Sequence, residues 1–432
     1  MEMESIARQS KAAATQLAAA GTDAKNRALV NIARALEART AAILDANQAD
    51  LERAAREELA APLLKRLRFD AAKITEACAG LRSLIDLDDP VGATLGATAL
   101  DDNLTLYRVS RPIGVIGVIF ESRPDALVQI SSLCLKSGNA VLLKGGSEAA
   151  ATNRILADII DRAGREAGMP PGWLHLMETR ADVAALLEMD AFIDLIIPRG
   201  SNDFVRHIMD NTRIPVLGHA DGICHVYLDR AADPEMARRI AVDSKTQYVA
   251  VCNAAETLLV HAAVAGPLLP ALKTDLEARG VEIRGCPRTA AIIPVAPTSE
   301  ADWRTEYLDL VVSVRVVDGL DAAIAHINRY GSGHTDVIVT ADRERALRFM
   351  DRVDTADVFV NCSSRFSDGF RYGLGAEVGI STNKIHARGP VGLEGLLIYQ
   401  WRLLGDGQIV ADYSGAGGRA FKHERLDKDF EI

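Results

Sequence analysis

The run Val115–Phe120, VIGVIF, decides the fold, because six consecutive apolar residues of this kind form a strand that is buried on both faces. Further apolar runs follow along the chain, with stretches of helical periodicity between them. The runs lie at 140–143, 174–177, 195–197 and 225–228, and the helical stretches lie near 125–137, 148–167, 182–189 and 202–210. This alternation predicts a parallel sheet in an α/β fold.

A second alternating set begins after about residue 232, and a helical region of about 90 residues precedes the first set. Within that region, one buried helix face is predicted by the spacing of Leu29, Ile32, Ala33 and Leu36. In the second set we expect strands near 257–260, 280–284, 311–317, 336–340 and 357–361, with helices at 266–278, 319–329 and 342–352. From about residue 365 the chain is rich in glycine, arginine and serine. This composition indicates active-site loops, followed by an arm that docks on another element or another subunit.

The bulk composition excludes several classes of protein. The 432 residues exceed what one hydrophobic core usually serves, so more than one domain is expected. A net charge of −10 argues against a nucleic-acid surface, and an anionic ligand must be attracted by local positive groups. The six cysteines include no C-x-x-C pair, so we expect no metal site and a reducing compartment. The acidic N-terminus and the lack of a long uncharged apolar stretch predict a soluble cytoplasmic protein.

Cys252 is the strongest candidate for a reactive group. It lies in residues 246–257, TQYVAVCNAAET, just before the apolar run Leu258–Val260. A polar thiol in the turn before a buried strand is accessible to a substrate, and its thiolate can attack an activated carbonyl to form a thioester. The alternative is a small buried hydrophobe, which is the commoner role of a lone cysteine. Catalysis would require partners elsewhere in the chain.

A nucleotide site is indicated by two turns, although neither G-x-G-x-x-G after a strand nor a Walker loop is present. Residues 144–148, KGGSE, follow the apolar run at 140–143, and residues 198–201, PRGS, follow the run at 195–197. In open α/β sheets, ligands bind at the carboxyl ends of the strands, where glycines permit close backbone approach. The alternative for each is a plain strand-to-helix turn, but two such turns in tandem favour a dinucleotide site.

Several long strings together resemble the aldehyde dehydrogenase superfamily, and most closely its acyl-phosphate reductases of proline biosynthesis. The strings are RPIGVIGVIFESRPDA at 111–126, KGGSE at 144–148, GHADGICHV at 218–226, the Cys252 loop, and YGSGHTD at 330–336. The resemblance spans nearly the whole chain. It implies a Rossmann-like cofactor domain over 1–98 and 110–232 and an α/β catalytic domain over 233–364. It further implies a small oligomerisation arm with active-site loops over 99–109 and 365–432.

The resemblance also implies roles for individual residues. Cys252 becomes the nucleophile, with Asn253 beside it in the catalytic group. Lys144 is expected to bind the adenosine ribose of the cofactor. Glu306, which alone would be taken for a surface carboxylate, is expected to bind the nicotinamide ribose. The remaining predicted cofactor contacts are Gly145, Gly146, Ser147, Gly200 and Ser201.

Three departures from the wider superfamily refine the prediction. Where the hydrolytic relatives have a glutamate base, this chain has Val216, so water is poorly activated and a thioester can instead be reduced or exchanged with phosphate. Ser122 replaces the usual oxyanion-binding asparagine, and it can still donate one hydrogen bond alongside the Cys252 amide. Ser147 replaces a glutamate that would repel a 2′-phosphate, which predicts NADPH over NADH.

The expected reaction is therefore NADPH-dependent reduction of L-glutamyl 5-phosphate to L-glutamate 5-semialdehyde and phosphate. Candidates for binding the substrate anions are Arg123, Lys245, Arg365 and Arg371, with His219 as a proton donor. Because no kinase motif is present, a separate glutamate 5-kinase must supply the labile acyl phosphate, and at least a homodimer is expected. The alternatives are a hydrolytic semialdehyde dehydrogenase, an inert scaffold protein and, with less support, a coenzyme A-dependent reductase.

Overall fold

The computed structural model describes residues 2–59, 61–121, 123–218 and 221–431. The helices are α1 (Glu2–Leu17), α2 (Thr22–Ala38), α3 (Thr40–Arg56), α4 (Ala61–Leu67), α5 (Ala71–Asp86), α6 (Pro124–Lys136), α7 (Ala150–Glu166), α8 (Arg180–Leu187), α9 (Asn202–Asp210), α10 (Pro234–Thr246), α11 (Ala262–Glu277), α12 (Pro287–Ala290), α13 (Leu320–Tyr330) and α14 (Arg343–Arg352). The strands are β1 (Thr94–Asp101), β2 (Leu104–Pro112), β3 (Val115–Phe120), β4 (Ala140–Lys144), β5 (Leu174–Met177), β6 (Leu195–Arg199), β7 (Cys224–Leu228), β8 (Ala255–His261), β9 (Glu282–Gly285), β10 (Ala296–Pro297), β11 (Val311–Val317), β12 (Thr335–Val339), β13 (Asp357–Val360), β14 (Gly379–Ser381), β15 (Gly389–Val391), β16 (Leu397–Leu404) and β17 (Glu424–Leu426).

The first sheet is parallel, with strand order β5-β4-β3-β6. Every residue of β3 and β4 is buried, as their continuous apolar sequences predict. The predicted N-terminal helix face is confirmed, because Leu29, Ile32, Ala33 and Leu36 are all buried in the same core as this sheet. The turns after β4 and β6 therefore emerge at one edge of a rigid, fully packed layer.

The second sheet is also parallel, with strand order β10-β9-β11-β8-β7-β12-β13. Its strand β7 pairs with β8 and β12, whereas the sequence-based boundary at residue 232 grouped this strand with the first sheet. The chain leaves the first sheet after Val216, which still bridges to Ile196. A fully apolar run has the same pattern in either sheet, so sequence alone could not assign β7 to the correct one.

A third, antiparallel sheet has the order β16-β2-β1-β17 and forms the arm. Its hairpin, β1 and β2, spans Thr94–Pro112 and is longer than the predicted segment 99–109. Strand β16 forms one edge and exposes Tyr399, Trp401 and Leu403. A short hairpin of β14 and β15 lies between the second sheet and the arm in sequence. No helix in the described part of the chain is both long enough and apolar enough to cross a membrane.

Candidate active site

Cys252 lies in the loop between α10 and β8, at the amino end of β8, and its side chain is half-buried. Two residues, one just before β7 and one at its start, fix the backbone of this loop. A Cβ atom on Gly222 would lie 2.6 Å from the Cβ of Cys252, so only glycine fits there. The thiol of Cys224 donates a hydrogen bond to the carbonyl oxygen of Cys252 over 3.1 Å. The nucleophile candidate is therefore held by backbone packing.

Asn253 is buried and fastens the Cys252 loop to the segment that follows β13. Its Nδ2 donates to the carbonyl oxygen of Ser367 over 2.7 Å, and its own carbonyl accepts from Ser364 Oγ over 2.6 Å. The predicted catalytic neighbour is thus adjacent to the thiol, but its amide donor is already used. The geometry supports a positioning role for this side chain.

The other cysteines differ from Cys252 in their surroundings. Burial raises the pKa of the Cys78, Cys134, Cys224 and Cys362 thiols, which therefore stay protonated at neutral pH. Cys286 is buried at the carboxyl end of β9, where its Sγ lies 3.4 Å from Thr289 Oγ1. It lies at the opposite strand end from the Cys252 loop.

Two arginines lie near enough to Cys252 to be affected by its charge. Arg365 is buried, and its Nε donates to Gln247 Oε1 over 3.0 Å. Burial lowers the pKa of the Arg365 guanidinium, and Arg371 acts in the same direction, whereas Asp368 and a Cys252 thiolate oppose it. Burial also lowers the pKa of Arg199, the last residue of β6, whereas the charge of a Cys252 thiolate acts in the opposite direction.

The other predicted cations are arranged differently. Arg123 is exposed and pairs with Asp125 over 3.1 Å, and Arg371 pairs with Asp368 over 3.2 Å. Lys245 requires a correction, because its side chain is completely buried and its Nζ lies 2.6 Å from Glu256 Oε2, which is also completely buried. Burial raises the pKa of Glu256 to about 7, although Lys245 opposes the shift. A side chain sealed in this way cannot contact a substrate.

The first predicted cofactor turn is tightly packed by neighbouring side chains. Lys144 is buried, its Nζ donates to the carbonyl oxygen of Gly145, and burial lowers the pKa of its ammonium group. A Cβ atom on Gly145 would collide with the side-chain amide of Asn153, and one on Gly146 would collide with Glu148. Ser147 opens the short 3₁₀ turn that precedes α7.

The second turn, at the end of β6, contacts Glu121, which follows β3, and lies close to Glu306, which precedes β11 of the second sheet. A Cβ atom on Gly200 would lie 3.0 Å from Cδ of Glu121, whose carboxylate accepts a hydrogen bond from the Ser201 amide. Next to this turn, Asn202 Nδ2 donates to Glu306 Oε2 over 2.9 Å. The structure therefore brings Glu306 to the Gly200 turn, although a long stretch of chain separates them.

Two predicted residues, Ser122 and His219, lie outside the described residues. Two residues that the sequence analysis missed lie at the site. Arg199 stands inside the quoted PRGS turn, where a basic residue at a strand's carboxyl end was the available signal. Arg53 contacts the first turn, since its Nη2 donates to the carbonyl oxygens of Ser147 and Glu148 over 3.0 and 2.9 Å. Its helix gave no signal of this contact.

Comparison with known proteins identifies consistent similarity over the whole chain. The family model described as "Aldehyde dehydrogenase family" matches residues 1–284 and 281–375. The gamma-glutamyl phosphate reductase of Pelotomaculum thermopropionicum is 65% identical over 432 residues, which cover 100% of this chain and 99% of that protein. The enzyme of the same name from Acetivibrio thermocellus is 63% identical over 432 residues, covering 100% of both proteins.

Solved structures agree with this similarity. The crystal structure of gamma-glutamyl phosphate reductase from Thermotoga maritima superposes with a TM-score of 0.93 at 40% identity, covering 95% of this chain and 100% of that one. An acetylating aldehyde dehydrogenase from Geobacillus thermoglucosidasius has a TM-score of 0.65 at 16% identity, covering 94% and 97%. The second likeness indicates a shared fold only.

Proposed function

The chain belongs to the aldehyde dehydrogenase family and, within it, to the gamma-glutamyl phosphate reductases, and from that membership we propose that it reduces L-glutamyl 5-phosphate to L-glutamate 5-semialdehyde with NADPH in proline biosynthesis. The observation that carries the proposal is the half-buried Cys252 thiol, whose loop is fixed by Gly222 and Cys224. A fixed thiol near the buried guanidinium of Arg365 and the half-buried one of Arg199 suits attack on an anionic acyl donor.

Cys252 is the proposed nucleophile. Its sulfur forms a bond to the acyl carbon, and the bond from that carbon to the phosphate oxygen breaks, so phosphate leaves and a thioester remains. The Cys252 amide, with Ser122 as the second predicted donor, would stabilise the oxyanion that forms during the attack. After reduction, the carbon–sulfur bond breaks, the thiol regains its proton and the aldehyde leaves.

Reduction is favoured over hydrolysis because the chain lacks a base at the expected position. Val216 stands there, and it bridges to Ile196 of the first sheet. A hydrocarbon side chain cannot take a proton from water. This substitution supports the acyl-phosphate reductase over the hydrolytic semialdehyde dehydrogenase.

The two turns of the first sheet fit a dinucleotide. Gly145, Gly146 and Gly200 each occupy positions where a Cβ atom would meet a neighbouring side chain, so these turns require glycine and keep their tight shape at the carboxyl ends of β4 and β6. Among the described residues, no group hydrogen-bonds the buried Oδ1 of Asn153 beside Gly145. We propose that Lys144 and Glu306 hold the two riboses, while Gly200 and Ser201 border the cleft between them. When bound, NADPH supplies the hydride that reduces the thioester carbon.

The preference for NADPH rests on the surroundings of Ser147. Arg53 lies against the carbonyl oxygens of Ser147 and Glu148, and about a third of its side chain is exposed. Its guanidinium also pairs with Asp50 over 2.6 Å, which fixes its position. A pre-positioned guanidinium next to an uncharged serine favours a phosphate on the adenosine ribose.

The test is NADP⁺ reduction with L-glutamate 5-semialdehyde, measured with and without inorganic phosphate. We expect turnover that depends strictly on phosphate and disappears in Cys252→Ala, whereas Cys362→Ala, which removes another half-buried thiol, stays active. Turnover without phosphate would mean that water resolves the thioester, and the hydrolytic alternative would replace the proposal. Failure to bind NADPH would favour the inert scaffold.

Two assembly proposals accompany this function. The exposed aromatic and aliphatic side chains along β16 suit pairing of the arm with another subunit, which supports at least a homodimer. A separate glutamate 5-kinase would supply the acyl phosphate, and direct transfer would protect that labile compound. Light scattering of the purified chain tests the first proposal, and a binding assay with the kinase tests the second.

A further inference from the structure

Arg199 is a charged residue next to the Gly200 turn, and the predicted contacts with substrate and cofactor do not include it. It is the last residue of β6, where it pairs with Phe120, and the next two residues are Gly200 and Ser201. Its aliphatic stem lies about 4 Å from where a Cβ atom on Gly379 would be. Among the described residues, the structure gives its guanidinium no hydrogen bond and no ion pair.

A chain of contacts connects Arg199 to the nucleophile. Gly379 lies two residues after Glu377, whose Oε2 accepts a hydrogen bond from the Gly369 amide over 2.8 Å. The nearby Ser367 carbonyl is the acceptor for Asn253, the residue after Cys252. The chain from Ser367 to Gly379, which ends at the first residue of β14, therefore contacts the Cys252 loop at one end and Arg199 at the other.

The electrostatic surroundings of Arg199 agree with this placement. Burial and the charge of Arg123 lower the pKa of its guanidinium, while Glu377, Asp125 and a Cys252 thiolate act in the opposite direction. Burial also raises the pKa of Glu377, while the charge of Arg199 opposes that shift. A half-buried guanidinium that forms no ion pair with a described residue is free to bind a strongly anionic ligand.

We infer that Arg199, together with Arg365, binds the phosphate group of the acyl phosphate, and this inference rests on the proposed function. Both guanidiniums are affected by the charge of Cys252. The phosphate is attached directly to the carbon that the thiol attacks, whereas the α-carboxylate of the substrate lies several bonds farther away. The exposed Arg123 and Arg371 are then the candidates for the carboxylate.

A chemical test that needs no enzymatic turnover measures the field at the thiol. Cys252 is alkylated with iodoacetate, which is anionic, and with iodoacetamide, which is neutral, at one pH, and the modified peptide is quantified. The ratio of the two rates cancels the fraction of thiolate. We expect Arg199→Gln to lower this ratio about tenfold, as loss of one nearby unit charge predicts. Arg288→Gln, which removes an exposed charge paired with Asp318, should leave it unchanged.

A kinetic test in the direction of NADP⁺ reduction separates the two substrate anions. Arg199→Gln should raise the KM for phosphate about tenfold or more and leave the KM for the semialdehyde unchanged, and Arg123→Gln should do the reverse. An unchanged alkylation ratio together with an unchanged phosphate KM would overturn the inference. A rise confined to the semialdehyde KM would also overturn it, since Arg199 would then bind the carboxylate.

The two tests keep this inference separate from the proposed function. If the wild-type protein shows no phosphate-dependent turnover, the proposed function fails, while the alkylation ratio still reports whether Arg199 faces the thiol. Should Arg199→Gln not fold, Arg199→Lys provides the test, because it keeps the charge but loses the planar donor pair. That variant should keep the alkylation ratio and raise the phosphate KM, and an unchanged phosphate KM would contradict the inference.

Discussion

The two parallel sheets contribute opposite strand ends to the candidate site. One end consists of glycine-rich turns, and the other consists of a cysteine loop backed by buried polar side chains. The first sheet contributes the glycine end, defined as the turns 144–147 and 199–201 at the carboxyl ends of β4 and β6. The second sheet contributes the thiol end, defined as the loop 250–254 at the amino end of β8 with the buried polar side chains behind it. Open α/β sheets usually bind ligands at carboxyl ends, so only the glycine end follows the general rule.

The glycine end is shaped by backbone, whereas the thiol end is supported by buried charge. Behind the Cys252 loop, His225 Nδ1 lies 2.8 Å from Asp336 Oδ1, and both side chains are almost completely buried. Other buried polar contacts in this region are Lys245 with Glu256, and Asp357 with Ser367 and Tyr372. The thiol end is therefore the part of the molecule most sensitive to the removal of one charged partner.

The largest expected effect is on stability, from Lys245→Met. This change leaves the buried carboxylate of Glu256 without its cation, and breaking such a pair costs about 3–5 kcal/mol. The midpoint of urea unfolding, followed by circular dichroism, should fall accordingly. The double variant with Glu256→Leu should recover most of the loss. Lys273→Met, which breaks a surface pair, should stay within about 0.5 kcal/mol of wild type. A loss below about 1 kcal/mol for Lys245→Met would show that the thiol end does not depend on this pair.

The next largest effect is on catalysis, from Gly222→Ala. The new methyl group would contact the Cys252 backbone and displace the thiol, and a displacement of about 1 Å costs roughly 100-fold in rate. We expect kcat/KM to fall about 100-fold while NADPH binding, measured by its fluorescence, is retained. The matched change Gly80→Ala lies in open space on α5 and should leave activity intact. Full activity in Gly222→Ala would mean that the loop tolerates movement.

Local sequence was sufficient for the glycine end but not for the thiol end. The strands β3, β4 and β6 are continuous apolar runs, so their positions and the turns after them were predicted correctly. Lys245 is a candidate from sequence because an anionic substrate needs positive groups, and nothing in its local sequence indicates that it is buried in the last turn of α10. Its burial depends on Glu256 and on how α10 packs over β8, and no local pattern encodes that packing.

The same reasoning explains the contacts that were missed. The segment after β13 turns back on itself, so Ser367 returns to hydrogen-bond Asp357 at the start of that strand. This return brings Arg365 and the Ser367 carbonyl to the Cys252 loop. Such a reversal follows from tertiary hydrogen bonds, not from the glycine and serine content of the segment. The PRGS turn places Arg199 at the carboxyl end of a strand, but this pattern alone indicates a dinucleotide site and does not distinguish a contact with the substrate.

A smaller effect distinguishes two cations at the glycine end. Arg53→Gln should reduce the ratio of kcat/KM for NADPH to that for NADH about tenfold, because only NADPH has the 2′-phosphate. Lys144→Met should weaken both cofactors to a similar degree and leave the ratio near its wild-type value. Because the ratio compares two substrates of one protein, a general loss of stability does not change it. An equal loss with both cofactors in Arg53→Gln would contradict the assignment of this residue.

The smallest expected effect concerns the acid sensitivity of the thiol end, through His326. Burial, together with the charges of His225, Arg315 and Arg329, lowers the pKa of this side chain to about 2. Arg315 Nη1 lies 2.9 Å from His326 Nδ1, which supports a neutral ring. Because the unfolded chain binds a proton near pH 6.5 and the folded chain does not, stability is present above pH 6.5 and is lost as the pH falls below it.

The corresponding variant is His326→Phe, which keeps an aromatic ring against Trp303 and Tyr330 but cannot titrate. Between pH 7.5 and pH 5.5, the wild-type protein should lose about 1.4 kcal/mol more than this variant, measured from urea unfolding at each pH. His207→Phe, at an exposed site, should leave the pH dependence unchanged. Equal losses of unfolding free energy in wild type and His326→Phe would mean that the ring can be protonated in the folded protein. The thiol end would then be no more acid-sensitive at this position than the glycine end.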